Sequence, residues 1–93
     1  MVFSDDAILD LAPGFRFQWE QAQQVHVLLF PEGMVKLNAS AAEIIRRCDG
    51  SRTLGTIVEE LRGRFAGSAV ADDVKSFVEK AHERGWIREV QRA

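Results

Sequence analysis

The chain has 93 residues, 46% hydrophobic and 28% charged, with two prolines, seven glycines and a net charge of −2. Such a length holds one small domain that buries roughly 60–65% of its unfolded surface, which excludes a large catalytic machine, and the composition is that of a globular chain rather than a disordered or fibrous one. A slightly acidic balance gives no general attraction to a phosphate backbone unless one face is locally basic.

Residues 1–13 read as an arm. Phe3, Ile8, Leu9 and Leu11 are apolar but form no long periodic stripe, so the arm either docks on its own domain or packs against a neighbour. From Gly14 the period becomes two: Phe15, Phe17 and Trp19 alternate with Arg16, Gln18 and Glu20, the pattern of a half-buried strand. Val25 to Phe30 reads as a second, more buried strand. Pro31-Glu32-Gly33 fits a three-residue hairpin loop with glycine in the left-handed position. Met34 to Leu37 returns as a third, short strand.

The remainder is helical. Ser40 and Glu43 have capping-box spacing ahead of Ala41, Ile44, Ile45 and Cys48 on one face, and Asp49-Gly50 ends that helix. Thr53 caps a second helix with the stripe Leu54, Ile57, Val58, Leu61 and Phe65. A third opens near Ser68, with Asp72 and Asp73 favourably placed in its first turn, and Gly85 stops it. Its stripe is Val70, Val74, Phe77, Val78 and Ala81, and Trp86 to Val90 can add a closing strand. A small sheet must cover its apolar face with helices. The expected fold is therefore α+β, winged helix-turn-helix-like, with a three-stranded antiparallel meander followed by three helices. The domain proper is expected over 14–93.

Few residues suggest chemistry. Cys48 lies on an apolar helix stripe, the position of a buried core thiol rather than a nucleophile. One cysteine and two distant histidines, His26 and His82, give no zinc spacing and no disulfide framework. No nucleophile elbow, phosphate loop or metalloprotease motif occurs, and Glu59, Glu60 and Glu79 read as surface charge. No enzyme activity, cofactor or metal is expected. The longest apolar run is Val27 to Phe30, too short for a membrane span, and Asp5 and Asp6 stand where a signal peptide wants positive charge. A cytoplasmic protein without membrane contact is the expectation.

The layout invites a test for nucleic-acid binding. The third helix would enter the groove, but it sets Asp72, Asp73, Glu79 and Glu83 against Lys75, Lys80 and Arg84. The basic residues gather instead at Arg46, Arg47, Arg52, Arg62 and Arg64, either a partner patch or a solvated face. The third strand offers another route. An edge strand presents unpaired N–H and C=O groups, so Lys36 either discourages aggregation or flanks an edge to which a peptide adds as a strand. Val35→Pro is the test this reading suggests, with peptide binding weakened and helix content kept. An open edge and an apolar arm also leave a homodimer or arm exchange open.

The run Val27-Leu28-Leu29-Phe30-Pro31-Glu32-Gly33-Met34-Val35-Lys36-Leu37-Asn38 is long and specific. With Arg16, Trp19-Glu20, Ser40-Ala41-Ala42-Glu43-Ile44, Cys48-Asp49-Gly50, Arg52-Thr53 and Gly85-Trp86-Ile87, it resembles the PqqD family of pyrroloquinoline quinone biosynthesis. The resemblance runs from about Pro13 to Ile87, with Phe30 where the family often has Tyr. It implies a peptide chaperone, a recognition domain that binds the precursor peptide PqqA and presents it to the radical S-adenosylmethionine enzyme PqqE. It further implies that the peptide docks beside the third strand and third helix. Here that means Met34, Val35, Lys36, Leu37 and Asn38 on the strand, and Asp73, Phe77 and Lys80 on the helix. Lys36 and Arg16 would complement acidic peptide residues. The rivals are a winged-helix nucleic-acid-binding module and a structural subunit of the enzyme complex that binds no peptide.

Overall fold

In the computed structural model, residues 3–65 and 69–91 are described. The elements run β1 (Ile8–Leu11), β2 (Arg16–Glu20), β3 (Val25–Phe30), β4 (Gly33–Leu37), α1 (Ala39–Arg47), β5 (Asp49–Thr53), α2 (Leu54–Arg62), α3 (Val70–Glu83) and β6 (Ile87–Glu89). The α+β layout with an antiparallel meander, β2-β3-β4, and three helices is the expected one. A second antiparallel sheet, in the order β5-β1-β6, accompanies it.

This second sheet settles where the arm goes: residues 3–11 dock on their own domain. Leu9 and Asp10 pair with Glu89 and Arg88, and Ile8 pairs with Thr53. Main-chain bonds extend the clamp, from Leu54 N–H to Ala7 O at 2.8 Å and from Val90 N–H to Ile8 O at 2.7 Å. Phe3, Ala7 and Leu9 enter the same core as the helices. β5 was not expected, because Asp-Gly-Ser-Arg-Thr has no run of strand-favouring residues. Its pairing with β1 supplies what local preference does not. Gly50, at φ +84°, suits this close approach, since an added Cβ would sit 3.3 Å from Asp10 Cγ.

The core lies between the meander and the helices. Leu28 and Leu37 face it from the sheet, and Ile44, Ile45, Leu54, Ile57, Leu61, Val74 and Val78 face it from the helices. Burial of each large aliphatic side chain stabilises the fold by roughly 1.5–3 kcal/mol relative to exposure. The stripes expected for α2 and α3 are the buried ones, except at two positions. Phe65 lies beyond the end of α2, and Phe77 is only half-buried.

Three local expectations are corrected. The capping box at Ser40 does not form, because Asn38 is already extended at φ −72° and ψ 174° and caps α1 two residues earlier. Its Oδ1 accepts from Ala41 N–H at 2.8 Å. Asp49-Gly50 opens β5 instead of simply ending α1, whose C-cap is Cys48. The β3–β4 turn has two residues, Pro31 and Glu32, because Gly33 already pairs with Phe30. Thr53 caps α2 as expected, accepting from Thr56 N–H at 3.1 Å. Ser68 lies outside the described residues; α3 starts after Ala69 with no side-chain cap. Gly85, at φ +78°, follows its end as expected.

Candidate functional site

β4 is an edge strand, paired with β3 on one side and, among the described residues, with no strand on the other. A two-residue hairpin turn closes on a hydrogen-bonded pair, and bonded and non-bonded pairs alternate from there. The register Phe30↔Gly33, Leu28↔Val35 and His26↔Leu37 therefore directs the main-chain groups of Gly33, Val35 and Leu37 into the sheet. The N–H and C=O of Met34 and Lys36 are left pointing to the open edge. Val35 thus supports the β3–β4 ladder, and Val35→Pro would damage the sheet rather than test the edge. Lys36 is the position that tests it, since proline is tolerated on an edge strand where the N–H faces solvent.

The side chains of β4 alternate between two faces. Val35 and Leu37 pack on the core side, whereas Lys36 and the 43%-exposed Met34 stand on the outer face. Arg16 shares that outer face, on the opposite edge strand, because Arg16 pairs with Leu29 and Leu29 with Met34.

At the end of β4 a groove of about 300 Å³ opens between α1 and α3. Asn38, Ser40, Ala41 and Ile44 form one wall; Asp73, Val74 and Phe77 form the other, with Phe65 beside them. Of the residues expected at a site, the structure brings Asn38, Asp73 and Phe77 together here. Lys80 continues the same face of α3 at the i, i+4, i+7 spacing from Asp73 but does not line the groove. Met34 to Leu37 lead to the groove without lining it. Sequence reasoning missed Ile44, Phe65 and Val74 as site residues, since their apolar periodicity reads only as core. The groove is apolar in its depth, with Asp73 and Asn38 at hand for polar contacts, and suits side chains of an extended peptide.

The arginines near the first two helices do not form a free basic face. Arg47 meets Glu43 at 2.7 Å and Glu60 at 2.8 Å. Arg52 meets Asp49 at 2.6 Å and Glu60 at 3.1 Å; Arg62 meets Glu59, and Arg64 meets Glu43, each at 3.1 Å. Glu60 is thus the joint of a network linking α1, β5 and α2, not an isolated surface charge. The hydrogen bond from Arg47 holds the Glu43 carboxyl below its usual range, with Arg64 and Arg46 adding to the effect against desolvation. Ser51 does the same for Asp49, aided by Arg52. At Glu60 desolvation pushes the pKa up, but Arg52 and Arg47 together outweigh it. Such neutralised guanidinium groups offer little to a phosphate backbone.

Cys48 is buried, its Sγ 3.4 Å from Ile44 O. Burial, with Asp49 and Asp10 adding to it, pushes the thiol pKa up to about 12, so it stays protonated and unreactive near neutral pH. Among the described residues no three His, Cys, Asp or Glu side chains are placed to hold a metal ion. No helix among them is long and apolar enough to cross a membrane.

Comparison with known proteins agrees with this architecture. The family described as Coenzyme PQQ synthesis protein D (PqqD) matches residues 25–87. A Methylococcus capsulatus protein named PqqA binding protein is 44% identical over 90 residues, covering 97% of both chains. A protein of the same name from Azotobacter vinelandii is 57% identical over 81 residues, covering 86% of this chain and 88% of its own. Among solved structures, the PqqD truncation of Methylobacterium extorquens PqqCD, described as a functional and stand-alone recognition element for ribosomally synthesised and modified peptides, superposes with a TM-score of 0.74. It is 21% identical and covers 94% of this chain and 95% of its own. Part of the heterocyclase TruD has the same fold, with a TM-score of 0.70 at 22% identity over 90% of this chain and 12% of that enzyme. The open edge, the groove and the sequence match agree, and the chain belongs to the PqqD family.

Proposed function

We propose that this chain is a peptide chaperone of pyrroloquinoline quinone biosynthesis. It binds the precursor peptide PqqA as an added strand on β4 and presents it to the radical S-adenosylmethionine enzyme PqqE. The observation that carries this reading is the open edge of β4 running into the α1–α3 groove. Relatives named PqqA binding protein supply the identity of the peptide.

Strand addition sets the register through main-chain bonds, and pockets on alternate side chains select the sequence. Met34 and Lys36 supply the bonds. Side chains on the core-facing side of the peptide reach the groove beside Phe77 and Asp73, while those on the other side pass Lys36. One exposed ion pair at Lys36 contributes only about 0–1 kcal/mol, so affinity rests on the main chain and the groove. Lys80, one turn beyond Phe77, meets the peptide where it leaves the groove. The domain holds a flexible peptide near the enzyme and raises its effective concentration, supplying no catalytic group or cofactor of its own.

Calorimetric titration of Lys36→Pro with synthetic PqqA tests the strand. Peptide affinity should fall at least tenfold while the far-ultraviolet spectrum stays that of the parent. An unchanged affinity in a folded variant sinks strand addition at this edge. A parent chain that binds PqqE but not the peptide would be a structural subunit instead.

A further inference from the structure

Arg46 differs from its neighbours. Arg47, Arg52, Arg62 and Arg64 each meet a carboxylate, whereas Arg46, among the described residues, has none within 4 Å. Its guanidinium instead lies 3.4 Å from His26 Nε2 and 5.9 Å from the centroid of the Phe17 ring. Phe17 stacks on His26 at 4.8 Å and 9°, and Trp19 meets the same imidazole edge-on at 4.9 Å. Trp19 is 44% exposed, one of two large hydrophobic side chains left open to solvent among the described residues. A cavity of about 180 Å³ lies beside Trp19 and His26, closed on the helix side by Ala39 and Ala42.

This face meets the peptide groove at Asn38, which lines both cavities, and turns away from it along α1. Ala39, Ala42 and Arg46 follow one another at helical spacing, roughly opposite Ser40, Ala41 and Ile44, which line the groove. A ligand lying in the groove therefore leaves Trp19, His26 and Arg46 uncovered. An exposed tryptophan beside an arginine with no carboxylate in contact has the composition of an interface anchor. The guanidinium, which touches no carboxylate among the described residues and acts on Glu43 only at longer range, defines what fits it: a carboxylate, which can accept N–H bonds from the fork, next to an apolar group that covers the indole.

We propose that the Trp19–His26–Arg46 face docks a carboxylate-bearing protein surface on the enzyme that modifies the peptide. This rests on the presentation reading above, because a chaperone that presents a bound peptide needs a second surface outside the groove.

The test compares the parent chain with Arg46→Glu, Trp19→Ser and, as a control, Arg62→Glu on a different exposed arginine. Binding to PqqE and to synthetic PqqA is measured separately for each. Arg46→Glu should weaken enzyme binding at least tenfold and Trp19→Ser at least fivefold. Peptide affinity should stay within twofold, and Arg62→Glu should change neither. Should Arg46→Glu fail to fold, Arg46→Gln and Trp19→Ser carry the comparison. Enzyme affinities within twofold of the parent overturn the docking face, as does a parallel loss of peptide binding. A parent that binds PqqA but not PqqE overturns presentation itself, and the docking face with it.

Discussion

The side-chain oxygen of Asn38 lies 2.8 Å from the main-chain nitrogen of Ala41, while the same residue follows the last residue of β4 and forms part of the groove wall. One residue thus joins the edge strand to α1 and caps the helix. Asn38→Ala should destabilise the domain by about 1 kcal/mol, the usual worth of an N-cap, whereas Asn38→Asp should keep the cap and most of the stability. Urea denaturation of the two variants checks this. Equal losses in both would mean that the cap contributes little.

Leu9 is fully buried although it belongs to the arm. Leu9→Ala should cost roughly 2–5 kcal/mol, the range for a truncated core leucine. Because the arm docks on its own chain, the loss should not vary with protein concentration. A midpoint that rises with concentration would instead indicate arm exchange between copies.

The carboxyl groups of Glu43, Asp49 and Glu60 titrate below their ordinary values of 4.5, 3.8 and 4.5 in the folded chain. The unfolded chain therefore binds more protons in that range, so stability rises with pH there. The contribution is complete above about pH 5 and is lost as the pH falls through the depressed folded values. Denaturation midpoints between pH 6 and pH 3 should decline, and Glu43→Gln should flatten part of the slope. A parent stability unchanged down to pH 3 would show the network to be energetically silent.

Cys48, buried and held protonated, should react with a thiol reagent at least 100-fold more slowly in the native chain than in denaturant, since the thiolate is the reactive form. Rapid native labelling would place the thiol outside the core.

The legible part of the fold was what local pattern determines. Alternation at Phe15, Phe17 and Trp19 and the apolar run from Val25 revealed the meander, and Thr53 and Gly85 marked helix ends. β1 and β5 were hidden because each becomes a strand through the other: Ile8–Leu11 is four residues long, and Asp49–Thr53 is mostly small and polar. The edge position of β4 follows from strand order, so that half of the site was legible too. The groove was not, because Ile44 and Val74 carry ordinary core periodicity and only the packing of α1 beside α3 leaves a space between them. The arginine network was hidden likewise, since Glu43 and Glu60 reach Arg64 and Arg52 from separate elements.

The most direct measurement follows backbone amides of isotopically labelled protein by NMR during titration with synthetic PqqA, with amide hydrogen exchange recorded before and after saturation. Shift changes should saturate and concentrate on Met34 to Asn38 and on the Asp73–Phe77–Lys80 face of α3. Exchange should slow at Met34 and Lys36, whose N–H groups gain a partner, while Val35 and Leu37 are protected from the start. Saturable binding that leaves exchange at Met34 and Lys36 unchanged, or no binding by a folded chain, would contradict the account.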